Sequence, residues 1–165
     1  YSCGLRVSEL CNLKLSDLYF EEGFIKVEGK GSKQRLVPIS PRAIKEIKYW
    51  LTDRNLGKIK KGYEDYVFLA RWGNNISRIM VFHMIKELAE KTGITKNISP
   101  HTFRHSFATH LLEGGANLRA IQCMLGHESI ATTEIYTHID RNMLRSEIIE
   151  HHPRNIKYRK ERGIY

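Results

Sequence analysis

The chain has 165 residues, 41% of them hydrophobic, which is enough for one compact core and too few for two comfortable domains. Its formal net charge of +9 favours a polyanionic partner such as nucleic acid. Three dispersed cysteines without CxxC spacing suggest neither a disulfide framework nor a zinc site, and no apolar run is long enough to span a membrane, so we expect a cytoplasmic protein.

The first part of the chain predicts a short helix followed by a β-hairpin. Apolar residues recur at helical spacing over residues 7–18. Residues 24–27 and 35–39 then read as two strands around a glycine-rich turn, with Lys30 at its tip. Residues 66–69 are predicted as a third strand.

Most of the remaining chain predicts helices with recognisable ends. Ser40 and Ser99 each stand before a proline, the arrangement of a capping residue followed by proline at the first helical position. Further helices are expected at about 78–91, at 117–126, after Ser129 around Tyr136, and at 143–149. The predicted fold class is therefore mainly α (α+β): a helical domain with a small three-stranded antiparallel sheet near its N-terminus.

His101 and Arg104 lie three residues apart near the start of one predicted helix and so face the same side. The free amides and positive dipole end of that helix favour a phosphate there. Elsewhere the chain offers a further guanidinium, a lysine, an imidazole and a phenol. The complete set could cut a phosphodiester without a metal, and its members are Arg6, Lys30, His101, Arg104, His127 and Tyr136.

Three segments carry this set in a recognisable pattern: GLRVSEL, GKGSKQR and SPHTFRHSFATHLLEGGANLRAIQCMLGHESIATTEIYTH. Arg104 precedes His127 by 23 residues, and His127 precedes Tyr136 by 9. In these motifs and spacings the chain resembles the catalytic domain of the tyrosine recombinase (phage integrase) family over nearly its whole length. HHPR at residues 151–154 further resembles the Xer-type recombinases.

The resemblance implies a site-specific DNA recombinase that cleaves and rejoins DNA through a 3′-phosphotyrosyl intermediate, without metal, ATP or another cofactor. It implies Tyr136 as the nucleophile and Lys30 as the acid for the departing 5′-oxygen. Arg6 and Arg104 would hold the non-bridging phosphate oxygens. His101 would accept or donate a proton near the phosphate, and His127 would hydrogen-bond an oxygen or position the tyrosine.

The resemblance also implies which partners the protein has and which residues form its catalytic domain. The partners are double-stranded DNA and a homo- or hetero-tetramer of recombinase protomers on that DNA, with no membrane. Residues 1–154 would form the catalytic domain, without the helical DNA-clamping domain that precedes it in the family, and residues 155–165 a basic tail.

Two other functions stay open at this point. One is a type IB topoisomerase-like nicking and closing enzyme, and the other is a catalytically silent DNA-binding regulator of the same fold. The GLRVSEL and HHPR motifs favour a recombinase over the first, and the intact set argues against the second. A zinc site is disfavoured because HTFRH lacks the glutamate of HExxH, and His105 and His110 are assigned to packing or hydrogen bonding. Taken singly, Tyr136 would be a packing aromatic and Lys30 an ordinary hairpin lysine.

Other charged residues are predicted to support this site. Glu9 and Asp17 are expected to orient Arg6 or to cap a helix. The basic tail either follows phosphate or is disordered, and disorder is favoured. The candidates for contacts to the DNA backbone are Lys33, Arg35, Arg42, Arg71, Arg78, Arg119 and Arg141.

Overall fold

The computed structural model of the chain describes residues 1–126 and 141–163. Within these residues it has seven α-helices and a three-stranded antiparallel sheet, so the predicted fold class is confirmed. The strands are β1 Leu18–Tyr19, β2 Phe24–Glu28 and β3 Gln34–Pro38. The helices are α1 Val7–Cys11, α2 Pro41–Leu56, α3 Arg78–Lys91, α4 Pro100–Glu113, α5 Leu118–Leu125, α6 Arg141–His151 and α7 Pro153–Glu161.

The helix starts follow the capping residues of the sequence. The side chains of Ser40 and Ser77 accept hydrogen bonds from backbone amides three residues later, at the starts of α2 and α3. Asn117 caps α5 in the same way, accepting from two backbone amides. Gly126 ends α5 in the left-handed conformation, with φ of 64°, which glycine adopts at little cost.

The sheet has the order β1–β2–β3, with Ile25 opposite Val37 across the central pair. The prediction that residues 66–69 supply the third strand is wrong, because β1 takes that place and Tyr66 forms only an isolated bridge. Side chains from α2 explain the difference. Arg54 donates from Nε to the Tyr66 carbonyl, and Trp50 donates from Nε1 to the Val67 carbonyl, so acceptors that a ladder would need are already used.

Two hydrophobic clusters hold the described residues together. One lies between the sheet and α2 and includes Ile25 and Val37, both almost fully buried. The other joins α4, α5 and α6 through Phe107, Met124 and Ile148. Since α5 also contacts β3, its C-terminal end lies where the two clusters meet.

The predicted disorder of the basic tail is wrong for residues 155–161, which belong to α7. This helix packs on α2, and Tyr158 is buried with its ring 5.8 Å from the Arg42 guanidinium carbon. The sequence contained a signal for this helix, because Pro153 occupies its first position, where proline is favoured. The same proline also lies just after the end of α6. No helix within the described ranges is both long and apolar enough to cross a bilayer.

Candidate active site

Glu9 on α1 is the acceptor at the centre of an arginine network. One carboxylate oxygen accepts from Arg6 Nη1 at 2.9 Å and from Arg35 Nη1 at 2.7 Å. The other accepts from the Arg6 backbone amide at 2.8 Å and from Arg35 Nη2 at 2.9 Å. The Glu9 side chain is only 1% exposed. The prediction that Glu9 orients Arg6 or caps a helix is confirmed in both respects, since Arg6 is also the residue before α1.

Burial by itself raises the pKa of the Glu9 carboxyl. The hydrogen bonds and charge of Arg35 and the hydrogen bonds from Arg6 outweigh burial, so the pKa lies below its ordinary value. Glu9 is therefore an anion at neutral pH, and it holds the two guanidinium groups in defined orientations.

The C-terminal end of α5 receives three arginine side chains. Arg35 Nε donates to the Met124 carbonyl at 2.8 Å, and Arg104 Nη2 donates to the Leu125 carbonyl at 2.6 Å. Arg6 Nη2 makes a longer contact of 3.4 Å with the Gly126 carbonyl. The last carbonyls of a helix lack helical partners and carry partial negative charge, so this helix end stabilises three guanidinium groups at one place.

Arg104 is held by a fork of two backbone acceptors. Besides the Leu125 carbonyl it donates from Nη1 to the Gly4 carbonyl at 2.6 Å. Gly4 has φ of +60°, and a Cβ there would collide with the Phe107 ring, so glycine is required for this close approach. Burial, then repulsion from Arg6 and Arg35 against the opposing attraction of Glu9, lowers the pKa of Arg104 to about 10. Arg104 remains charged at neutral pH, in a site with excess positive charge.

The structure brings Arg6 and Arg104 together at the end of α5. Lys30 lies in the exposed 3₁₀ turn Lys30–Ser32 between β2 and β3. The hairpin is near Arg6, because a Cβ on Gly29 would lie 3.7 Å from Arg6 Nη1. His101 is exposed on the first turn of α4, one turn before Arg104. His127 and Tyr136 lie outside the described residues.

Arg35 is buried, so its predicted role is wrong. It was predicted to contact the DNA backbone, but it is only 7% exposed and its guanidinium is bound by Glu9. The alternation of the strand indicated this burial. Arg35 lies two and four residues before Val37 and Ile39, which are buried, and alternate residues of a strand point to the same face. An arginine on an inward-facing position requires a buried acid, and Glu9 is that acid.

Among the other predicted supporting residues, some have ion-pair partners within the described part of the chain and others are exposed. Asp17 does not orient Arg6; it contacts Lys26 Nζ at 3.2 Å and accepts from the Lys14 amide before the 3₁₀ turn Leu15–Asp17. Arg42 lies 2.9 Å from the Glu46 carboxylate. For the remaining exposed candidates a contact to DNA stays a prediction, and they include Arg71, Arg78, Arg119 and Arg141.

The other histidines of α4 form hydrogen bonds, as predicted. His110 Nδ1 is 2.8 Å from the Tyr1 hydroxyl, and His105 Nε2 is 3.5 Å from the Thr109 hydroxyl. Across residues 1–126 and 141–163, no cluster of three or more His, Cys, Asp or Glu side chains is arranged to hold a metal ion.

The described residues thus combine a small antiparallel sheet and a helical body with three arginines that meet at the C-terminal end of α5. The chain belongs to the phage integrase family, whose sequence profile matches residues 1–143. It is 49% identical to tyrosine recombinase XerD of Chlorobaculum tepidum over 154 residues, which cover 93% of this chain and 51% of that protein. The resemblance to Xer-type recombinases is thereby confirmed.

Solved structures agree with this assignment. XerA recombinase has a TM-score of 0.71 at 38% identity, covering 92% of this chain and 54% of that one. XerH site-specific recombinase bound to difH substrate, in a pre-cleavage complex, has a TM-score of 0.67 at 31% identity, covering 89% and 43%. The chain thus spans about half the length of the relatives it matches. These relatives are recombinases, so the topoisomerase-like alternative is not favoured.

Proposed function

We propose that this chain is the catalytic part of a site-specific DNA recombinase that cleaves and rejoins DNA through Tyr136. The observation that carries the proposal is the pair Arg6 and Arg104, both held at the C-terminal end of α5 by backbone carbonyls and, for Arg6, by Glu9. Two fixed guanidinium groups with excess positive charge suit the two non-bridging oxygens of a phosphodiester.

The proposed reaction exchanges one phosphoester for another. The Tyr136 oxygen forms a bond to the scissile phosphorus, and the bond from phosphorus to the 5′-oxygen breaks. The phenol proton leaves to the imidazole of His101, and Lys30 gives a proton to the departing 5′-oxygen. Attack by a 5′-hydroxyl reverses these steps and releases Tyr136. Because a phosphoester is conserved throughout, rejoining requires no ATP.

The arginines supply electrostatic stabilisation in this scheme. An ordinary tyrosine has a pKa near 10, and neighbouring positive charge makes its phenolate more accessible. Negative charge grows on the phosphate oxygens in the transition state, where donors already in place cost no reorganisation. The network around Glu9 provides that advance positioning, since Arg6 donates to the Glu9 carboxylate from both its backbone amide and its guanidinium.

The proposed partners are double-stranded DNA and further recombinase protomers assembled as a homo- or hetero-tetramer. Support for DNA comes from the net charge of +9 and from the XerH relative, whose structure contains its difH substrate. Residues 1–154 are proposed as the catalytic domain, which in the family follows a DNA-clamping domain.

A covalent trapping experiment tests the proposal. Nicked duplexes with a randomised centre are incubated with the chain in EDTA, and adducts that survive denaturation are recovered and sequenced. We expect the parent to form an adduct at a selected sequence and Tyr136→Phe to form none while still binding DNA. Tyr49→Phe, which changes an exposed tyrosine on α2, is the matched control and keeps the adduct.

Three results would contradict this function. An adduct in Tyr136→Phe would exclude Tyr136 as the nucleophile, and a strict Mg²⁺ requirement would exclude the metal-free mechanism. Binding without any adduct in the parent would favour the silent regulator.

A further inference from the structure

Arg35 ties together three segments of the candidate site. It lies on β3, donates from Nη1 and Nη2 to the two Glu9 oxygens on α1, and donates from Nε to the Met124 carbonyl on α5. Every nitrogen of its guanidinium is thereby used. The side chain is 5% exposed, so Arg35 does not reach a DNA phosphate.

The contacts of Arg35 determine where Arg6 points. Arg6 Nη1 donates to the same Glu9 oxygen that accepts from Arg35 Nη1. Without Arg35 the Glu9 carboxylate would lose two of its four hydrogen-bond donors. The two Arg35 nitrogens bind both carboxylate oxygens, so the orientation of the carboxylate plane would no longer be fixed. Arg6 is 38% exposed and has few other partners at short distance, so its orientation depends on that carboxylate.

We propose that Arg35 is a positioning residue for strand cleavage, acting through Glu9 on Arg6 and holding the hairpin that carries Lys30 against the end of α5. It does not touch the substrate. This inference rests on the function proposed above, because positioning Arg6 matters only if Arg6 holds the scissile phosphate.

The planar fork of arginine is what this role requires. A lysine at position 35 would keep the charge, but a single ammonium cannot bind both Glu9 oxygens and the Met124 carbonyl in one plane. Small displacements of a group that orients the reacting phosphate cost as much as 10²-fold in rate. We therefore expect Arg35→Lys to lower cleavage strongly even where the variant is fully folded.

The chain contains a matched control in Arg54. It is 6% exposed, and its Nε likewise donates to a backbone carbonyl, that of Tyr66. Its contacts join α2 to the loop that follows and include neither Glu9 nor α5. Arg54→Lys therefore reports the loss of a buried arginine fork without disturbing Arg6.

The test is single-turnover cleavage of the selected nicked duplex at saturating protein, at a temperature where circular dichroism shows both variants folded. We expect Arg35→Lys to lower the rate by about 10²-fold and Arg54→Lys to leave it close to the parental rate. Equal rates for the two variants overturn the inference and leave the proposed function standing. A parent that forms no adduct overturns the proposed function and the inference with it.

Duplex affinity separates positioning from a general structural effect. Because the buried Arg35 side chain does not touch the substrate, Arg35→Lys should bind the selected duplex with a Kd close to that of the parent while its cleavage rate falls. A Kd that weakens as much as the rate falls would contradict the inference.

A second pair of variants applies if Arg35→Lys does not fold. Gly126→Ala would place a Cβ 3.1 Å from Arg35 Cδ, whereas Gly93→Ala, also a left-handed glycine after a helix, meets nothing within 4 Å. We expect the first to lower the cleavage rate more than the second. Equal rates in this pair overturn the inference.

Discussion

Replacing Glu9 with glutamine tests how much the buried arginine network contributes to the stability of the fold. The carboxylate accepts four hydrogen bonds, two from Arg6 and two from Arg35. In Glu9→Gln one oxygen remains as an acceptor, while the new amide N–H₂ group faces guanidinium donors and the negative charge is lost. The variant thus leaves Arg35 buried without its counter-ion.

The size of the effect follows from that burial. Removing one partner of a buried ion pair typically costs 3–5 kcal/mol, and the retained oxygen places this case near the lower end, at about 3 kcal/mol. For a domain of this size each kcal/mol lowers Tm by about 2–4 °C. We therefore expect Tm to fall by about 6–12 °C at pH 7.

The effect should depend on pH with a definite sign. Although burial raises the pKa of Glu9, the hydrogen bonds from Arg35 and Arg6 bring it below its usual value. The carboxylate therefore stabilises the fold above its unfolded pKa of about 4.3, and that contribution is lost as pH falls through the folded pKa. The difference between parent and variant should be full at pH 6–7 and shrink below about pH 4.

Urea denaturation at pH 7, 5 and 3.5 measures this difference, and Glu87→Gln serves as the control. Glu87 forms a 2.6 Å ion pair with Lys91 on the exposed side of α3, and its loss should leave the free energy of unfolding nearly unchanged. A Glu9→Gln variant as stable as the control at pH 7, or a difference that does not change with pH, would refute the reasoning.

Three further predictions concern other parts of the site and the core. Arg104→Lys cannot bind both backbone carbonyls that the arginine binds, and it should lower the single-turnover cleavage rate by about 10²-fold. Arg119→Lys, at an exposed position, should leave that rate unchanged, and equal rates for the two variants would remove Arg104 from the mechanism. Gly126→Ala should cost about 1–2 kcal/mol in urea denaturation because its φ is +64°, and an unchanged midpoint would contradict this. His152 is buried, and burial, the largest cause, lowers its pKa to about 4. Because the unfolded chain binds the proton more readily, stability should fall by about 2 kcal/mol from pH 7.5 to pH 5, a loss that His152→Asn should abolish; an equal pH dependence in the variant would refute the assignment.

Local sequence signals were sufficient for most of the secondary structure. Ser40, Ser99 and Asn117 predicted the starts of α2, α4 and α5, because a cap satisfies amides only two or three residues away. Pro153 was ambiguous, since proline follows one helix and begins the next. The third strand was wrong because backbone acceptors near Tyr66 bond to side chains of α2, which no local pattern reveals.

The sequence by itself determined which chemical groups this protein carries and at what spacing, and those are what define its family. It also supplied the short-range pairing of Arg6 with Glu9, three residues apart on one helical turn. Only the tertiary structure decided that Arg35 is a buried partner of Glu9, 26 residues away, and that Arg104 binds the Gly4 carbonyl, 100 residues away. The physical reason is that a guanidinium can be solvated by water or hydrogen-bonded to buried acceptors. Which of these occurs for a given arginine depends on whether the folded chain brings a distant acceptor next to it.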